Sequence, residues 1–372
     1  MNAIITALAP LPPSIWMDRP SPRLPFPLDE PGCRLFGRAR HGLWQALRSA
    51  AVRTDDEVLV PAYHHGSEIE VFVRAGMRCR FYDATDNLEP DEDELRRLLG
   101  PRTRALHLTH FLGFPQNARR WRTWCDEHGL LLIEDAAQAW LAEYQGRPVG
   151  TDGDIVIFCL YKTFGLPDGA ALLSRNPIPA PVARRRLAAA DLGLEHAVWL
   201  TSRSPLLSGL AQRLHRERRY SSARDFALGD VASAPSIATL FALPRAARAG
   251  AAVRRRRNYE ALLRMLGDRV PHAFRDLPAG ASPFVFPIES TDKGGVLRRL
   301  RAGGIRALDF WSTPHPALPA ADHPVAGRLR ATVIGLPVHQ ELRDQDLARI
   351  VSLAGESLER SSGSANDPRV IA

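Results

Sequence analysis

Apolar residues along this chain come in short blocks of two alternating kinds. Glu57-Val58-Leu59-Val60-Pro61, Arg78-Cys79-Arg80-Phe81-Tyr82, Ala105-Leu106-His107-Leu108-Thr109, Leu130 to Ile133, Ile155 to Leu160 and Ala170 to Leu173 are brief apolar runs that predict buried strands. Between them the apolar positions recur at helical spacing. His41 to Ala51, with Leu43, Ala46 and Leu47 on one face, Ser67 to Ala75, Asp91 to Leu99 with acidic residues in its first turn, and Arg119 to His128 ending at Gly129 each predict a helix. Strands separated by helices of this length require right-handed crossovers and a mostly parallel sheet covered on both faces, an α/β fold. Ligands of such sheets sit at the carboxyl ends of the strands. Tyr63, His64, His110 and Asp135 fall at or just past such ends, so the topology gathers them in one crevice before any chemistry is invoked.

The remaining pattern predicts four parts. Residues 1–33 contain a proline-rich stretch, 9–31, which reads as an extended arm over the surface. Residues 34–249 form the large unit, whose last part, 177–250, consists of Ala-, Arg- and Leu-rich helical segments broken by proline. Residues 250–360 form a smaller α+β unit: a helix at 250–266, the strand Phe284 to Pro287, a helix from Gly295 to Ala302, the strand Ile334 to Pro337 and a final helix from Asp344 to Leu358. Residues 361–372 are polar and read as a disordered tail. No internal repeat is evident.

Composition narrows the chemistry. The chain has 372 residues and a formal net charge of +8, a balance that favours anionic small molecules. The arginine runs Arg184–Arg186 and Arg254–Arg257 sit in helical patterns without interleaved aromatics, so they read as solvated helix faces and not as a nucleic-acid patch. No apolar run is long enough to span a bilayer. Met1 to Leu8 lacks a basic start and a long apolar stretch, which gives the expectation of no signal peptide and a cytoplasmic protein. Cys33, Cys79, Cys125 and Cys159 form no paired motif, so no zinc site or disulfide frame is expected. The adjacent His64 and His65 have no carboxylate or cysteine at ligand spacing, which argues against metal.

Lysine occurs only twice, at Lys162 and Lys293, among 49 basic side chains. Arginine carries surface charge equally well but keeps its proton, so it cannot form an imine. Lys162 ends the apolar run Phe158-Cys159-Leu160-Tyr161 and precedes a glycine-containing turn. Asp135 ends another buried run, and the small residues Ala136-Ala137-Gln138-Ala139 after it leave room for a flat ligand. A carboxylate and a lysine so placed suit pyridoxal 5'-phosphate, the lysine forming a Schiff base and the carboxylate keeping the pyridine nitrogen protonated. A buried structural ion pair is the other reading of the same two residues.

These motifs resemble, in order along the chain, those of the DegT/DnrJ/StrS aminotransferase family, over roughly residues 34–358. Glu57 to Tyr63 resembles the family's DEVLVPAYT, His107 to Gly113 its VHLYG, Ile133 to Ala139 its IEDAAQA, and Pro167-Asp168-Gly169-Ala170 its GDGGA. The resemblance implies fold type I of the pyridoxal-phosphate-dependent transferases, with a smaller C-terminal domain. It implies that Lys162 is the Schiff-base lysine and α-proton shuttle, that Asp135 pairs with the pyridine nitrogen, and that Gln138 lies near the cofactor's ring oxygen. Ala39 and Arg40 take the place of the phosphate loop, and a helix start favours phosphate through its backbone N–H groups. His65 takes the place of the aromatic that stacks on the ring, with Tyr63 and His64 as neighbours able to do the same. Cys159 stands where the family has a phosphate-binding serine; a buried apolar cysteine is the other reading, since a thiol donates weakly. Ser67 is read as a helix cap or phosphate contact. Trp311 and His315, in a segment resembling the family's HY…PLH, are substrate candidates with His110; a satisfied turn histidine is the other reading of His315.

The same resemblance implies an activity: transfer of an amino group from an amino acid, glutamate or glutamine, to a keto-sugar attached to a nucleotide, in polysaccharide or secondary-metabolite biosynthesis, by a homodimer. The sequence departs from the family in a shortened link before Lys162, which keeps a second expectation open: a non-catalytic or regulatory relative.

Overall fold

The computed structural model describes residues 4–181, 187–204, 226–248, 250–319 and 323–364. The arginine run 184–186 and the tail from 365 lie outside them. Seven strands form the central sheet: β1 (Arg34–Phe36), β2 (Glu57–Pro61), β3 (Arg78–Tyr82), β4 (Thr103–Thr109), β5 (Leu131–Asp135), β6 (Ile155–Cys159) and β7 (Ala170–Ser174). Their order is β1-β7-β6-β5-β4-β2-β3. β7 runs antiparallel to both neighbours, and the other pairs are parallel. The inner parallel strands are largely apolar on both sides because helices cover both faces, while the edge strand β3 exposes Arg78 and Arg80.

Alternation along the strands sorts the core. On one face Val58, Val60, Ala105, Ile133, Ile155 and Ile157 pack with α1 (Ala39–Ser49) and α2 (Ser67–Arg74). On the other, Leu59, Leu106, Leu108 and Leu132 pack with α3 (Glu92–Leu98) and α4 (Ala118–His128). Helix starts are set locally: the Asp91 and Asn117 side chains cap α3 and α4, and Gly129 ends α4 in the left-handed conformation. Among the described residues the expected helices and strands are present, with ends moved by at most two residues except at the final helix, which runs six residues further. The edge strand β1 was not legible, because three residues show no period.

Beyond β6 lie the single turn α5 (Leu160–Thr163), α6 (Ala189–Ser202), α7 (Ile237–Ala246) and the long α8 (Gly250–Leu266). The C-terminal unit is a three-stranded antiparallel sheet, β8 (Phe286–Glu289), β9 (Leu308–Asp309) and β10 (Val333–Leu336), in the order β8-β10-β9, with α9 (Lys293–Ala302), α10 (Pro324–Thr332) and α11 (Asp344–Ser364).

Three expectations are corrected. The proline-rich arm is not simply laid on the surface: it forms a 3-10 turn at Pro13–Trp16, and Leu11 and Ile15 are buried against Trp140, Phe164 and Ala242. Before it, Ile5–Thr6 pairs in parallel with Ile305–Arg306, tying the N-terminus to the C-terminal unit. The final helix runs to Ser364, so the tail cannot begin at 361. Arg255 is no solvated residue of the run Arg254–Arg257; it is 2% exposed.

Candidate active site

The α1/α2 face of the sheet carries a polar side chain on each of three adjacent strands, inside β4 and at the ends of β5 and β6. Pairing of Thr109 with Asp135 and of Asp135 with Ile157 sets β4, β5 and β6 in step. Alternation then puts the side chains of His107, Asp135 and Cys159 on one face. Asp135 is buried; its Oδ1 accepts from the Ala137 N–H at 2.8 Å. Its Oδ2 lies 3.7 Å from His107 Nε2 and receives no hydrogen bond among the described residues. Burial pushes the Cys159 thiol up, while the charge of Lys162 pulls it down and that of Asp135 pushes it up. Lys162 and Asp135 thus both act electrostatically on this sulfur. The Cys159 side chain makes no capping hydrogen bond to α5, and its burial favours the apolar-cysteine reading.

Lys162 sits on α5, half-buried, with Nζ 5.8 Å from the centre of the Phe284 ring. One turn of helix has too few internal bonds to hold itself. It is held from outside. Arg255 donates from Nη2 to the Thr163 carbonyl at 2.8 Å, from Nη1 to the Pro283 carbonyl at 3.0 Å and from Nε to Gln340 Oε1 at 2.8 Å; Gln340 Nε2 adds a 3.0 Å bond to Thr163. Asp168, just beyond, accepts from Ser236 Oγ at 2.9 Å and Thr239 Oγ1 at 2.6 Å, anchoring the turn to α7.

At the crevice's other end, α1 begins at Ala39 and Arg40 with no acidic residue in its first turn and no side-chain cap from Arg38. The positive end of its dipole is thus open to an anion. Gly37, before it, is fixed by bonds to Ser233 and Gly169. His65 lies between, edge-on to Trp311 (6.4 Å) and Phe226 (6.1 Å), with Nδ1 3.2 Å from Ser67 Oγ. Burial lowers its pKa to about 4, against the pull of Glu68 and with the push of Lys162 and Arg40. The charges of the lysine and of Arg40 at the helix start thus both act on His65.

Other sequence candidates are held by contacts of their own. Tyr63 is buried beneath Phe111 and Trp311. His64 is buried with Nδ1 on the Pro61 carbonyl at 3.0 Å, and its Nε2 accepts from the His315 N–H at 3.4 Å. His110 goes to the opposite face: it is fully buried, with Nε2 3.1 Å from Glu134 Oε2 and Nδ1 accepting from the Gln116 N–H. A one-residue step along a strand flips the face, so His110, beside Glu134, is cut off from Asp135's crevice. Gln138 uses Oε1 to accept from the Leu112 N–H at 2.7 Å, holding a turn whose φ is +52°. Ser67 is not the cap of α2; Gly66 is, with φ +111°. Trp311 and His315 are buried near His65: Trp311 meets its ring edge-on, and His315 packs on Phe226, the other ring beside it. His315 Nε2 is 3.0 Å from Glu70 Oε2 and its Nδ1 accepts from the Ala317 N–H, which fits the satisfied turn histidine. Sequence reading missed His107, Arg255, Phe284 and Phe226. A polar residue centred in an apolar strand was the available signal for His107; the others had none, because distant loops bring them in.

The profile of the DegT/DnrJ/EryC1/StrS aminotransferase family matches residues 36–354. The GDP-perosamine synthase of Vibrio cholerae is 29% identical over 136 residues, 36% of this chain and 37% of that protein. The chain thus aligns with little more than a third of that relative's length. The UDP-N-acetyl-3-dehydro-alpha-D-glucosamine 3-aminotransferase of Acidithiobacillus ferrooxidans is 27% identical over 328 residues, covering 85% of this chain and 81% of that one. Helicobacter pylori PseC, an aminotransferase involved in the biosynthesis of pseudoaminic acid, superposes with a TM-score of 0.66 over 88% of this chain and 87% of that one at 17% identity, a likeness of fold alone.

Proposed function

The chain belongs to the DegT/DnrJ/EryC1/StrS aminotransferase family, and from that premise we propose that it moves an amino group from glutamate or glutamine to a keto-sugar carried on a nucleotide. The family depends on pyridoxal phosphate. The donor set fits that group: a half-buried amine, a buried carboxylate whose Oδ2 accepts no hydrogen bond among the described residues, and a helix start bare of acidic residues.

When bound, pyridoxal phosphate supplies an aldehyde for nitrogen and a ring that withdraws electrons. Lys162 would hold the aldehyde and, when released, move a proton with Nζ. Asp135 would hold the proton at the ring nitrogen through Oδ2. The first turn of α1, at Ala39 and Arg40, would take the phosphate, and the neutral ring of His65 would cover the cofactor's face. Burial of Asp135 and Cys159 keeps water from that side. The names of the relatives from Vibrio cholerae and Acidithiobacillus ferrooxidans support a nucleotide-linked sugar as acceptor, and a net charge of +8 suits a diphosphate. Among the described residues no helix is long and apolar enough to cross a membrane; a cytoplasmic homodimer is part of the proposal.

The buried Asp135 carboxylate, whose Oδ2 accepts no hydrogen bond among the described residues, carries this reading. Its test is absorbance and borohydride fixation. Purified protein given pyridoxal phosphate gains a visible band, and reduction followed by peptide mass mapping places the label on Lys162. Lys162→Ala abolishes both. A wild-type protein that stays colourless with added cofactor returns the non-catalytic reading.

A further inference from the structure

His107 is 0% exposed in the middle of the central sheet, and neither ring nitrogen has a hydrogen-bond partner among the described residues. Buried polar atoms are nearly always paired, and a central strand position ordinarily takes a β-branched or aromatic apolar residue. The ring meets Phe72 edge-on, centroids 5.5 Å apart at 82°. Its Nε2 lies 3.7 Å from Asp135 Oδ2. The other oxygen of that carboxylate is already fixed by the Ala137 N–H. Burial pushes the imidazole's pKa down, opposed by Asp135 and Glu68 and helped by His110, so the ring is neutral and carries one N–H. With that proton on Nε2, the ring offers a donor to the carboxylate. With it on Nδ1, a lone pair would face an anion.

We propose that His107 is a positioning residue for Asp135, its Nε2–H restraining Oδ2 so that the carboxylate meets the ring nitrogen of the cofactor. This rests on the reading of Asp135 given above and deepens it. A carboxylate oxygen has two lone pairs, so Oδ2 accepts from His107 and from a pyridinium N–H together. His107 thereby completes a two-point hold on Asp135: a backbone amide on one oxygen and an imidazole on the other. The restraint acts before the cofactor arrives.

The test has two arms. In the cofactor-free wild-type protein with ¹⁵N-labelled histidine, the His107 ring shows a neutral tautomer protonated at Nε2; protonation at Nδ1 overturns the proposal. In the second arm, pyridoxal phosphate is titrated into wild type and variants and followed by absorbance. His107→Phe weakens binding about tenfold, the loss of one N–H donor facing a charged group. His107→Gln, which keeps an N–H donor, recovers part of that. In an Asp135→Asn background His107→Phe causes no further loss, because the group it acts through has changed. An equal loss in both backgrounds, or no recovery with glutamine, reduces His107 to a packing residue and overturns the proposal. If His107→Phe does not fold, the tautomer and the glutamine variant decide. If wild type itself takes up no pyridoxal phosphate, the cofactor reading fails, and the tautomer still decides whether His107 restrains Asp135.

Discussion

Arg255 is the clearest place to perturb this molecule. It is a buried guanidinium with no carboxylate in hydrogen-bonding contact among the described residues, and burial lowers its pKa to about 10. Three acceptors compensate it: Thr163 O, Pro283 O and Gln340 Oε1. Replacement by methionine removes the charge and its desolvation together, so the loss is that of the acceptors left behind. Thr163 O keeps its bond from Gln340 Nε2. Pro283 O and Gln340 Oε1 are orphaned, at about 1–3 kcal/mol each, so Arg255→Met should cost about 2–6 kcal/mol. Arg255→Lys keeps a buried charge but reaches fewer of the acceptors, and should be no better than methionine. Urea denaturation of the cofactor-free protein, read by circular dichroism, measures this. A local assay is built into the sequence, because a lysine-specific protease has only Lys162 and Lys293 to cut. Lys293 is 7% exposed and its Nζ bonds Ser312, Arg330 O and Asp309, so native cleavage reports opening of the Lys162 turn. In Arg255→Met the cut at Lys162 should quicken about tenfold or more, as each 1.4 kcal/mol of local destabilisation gives a factor of about ten. A methionine variant within about 1 kcal/mol of wild type and cleaved at the same rate, or a lysine variant clearly more stable than methionine, would refute the reasoning.

Other outcomes are expected from the same structure. Burial lowers the pKa of His339 to about 3 and that of His41 to about 4. A lowered histidine pKa gives stability that is full above the unfolded value of about 6.5 and lost as pH falls toward the folded value, up to about 4 kcal/mol for His339; denaturation midpoints should drop between about pH 6.5 and pH 4, and His339→Gln should flatten that slope. Gly66 has φ +111°, and a Cβ there would lie 2.5 Å from the Phe226 ring. Gly66→Ala should cost about 3 kcal/mol, and its added cost should shrink when made in Phe226→Ala, because only the backbone strain remains; equal costs in both backgrounds would contradict this. Asp168→Asn should cost about 2–3 kcal/mol in the same urea assay, since it weakens charge-assisted bonds from Ser236 and Thr239. Cys79 and Cys125, with thiols pushed up to about 12 by burial, should resist a thiol-labelling reagent in the native protein and react on unfolding.

Whatever depended on neighbours along the chain was legible in the amino-acid sequence. Apolar runs gave the parallel strands, helical spacing gave the helices between them, and an acidic residue at the end of one run with a lone lysine at the end of another gave the centre of the crevice. Each of these signals is local, carried by backbone periodicity over a few residues. The folded structure alone decided which face each side chain takes and what distant loops bring to it. One step along the chain separates Asp135 from Glu134, and that step sends His110 behind the sheet while His107, three positions earlier, comes to Asp135's side. Arg255 reads as one more arginine in a basic run, yet packing against Thr163, Pro283 and Gln340 makes it the support of the lysine turn. The physical reason is common to these cases: burial and hydrogen-bond pairing are properties of three-dimensional neighbours, and 28 to 92 residues of chain separate Arg255 from the groups that give it its role.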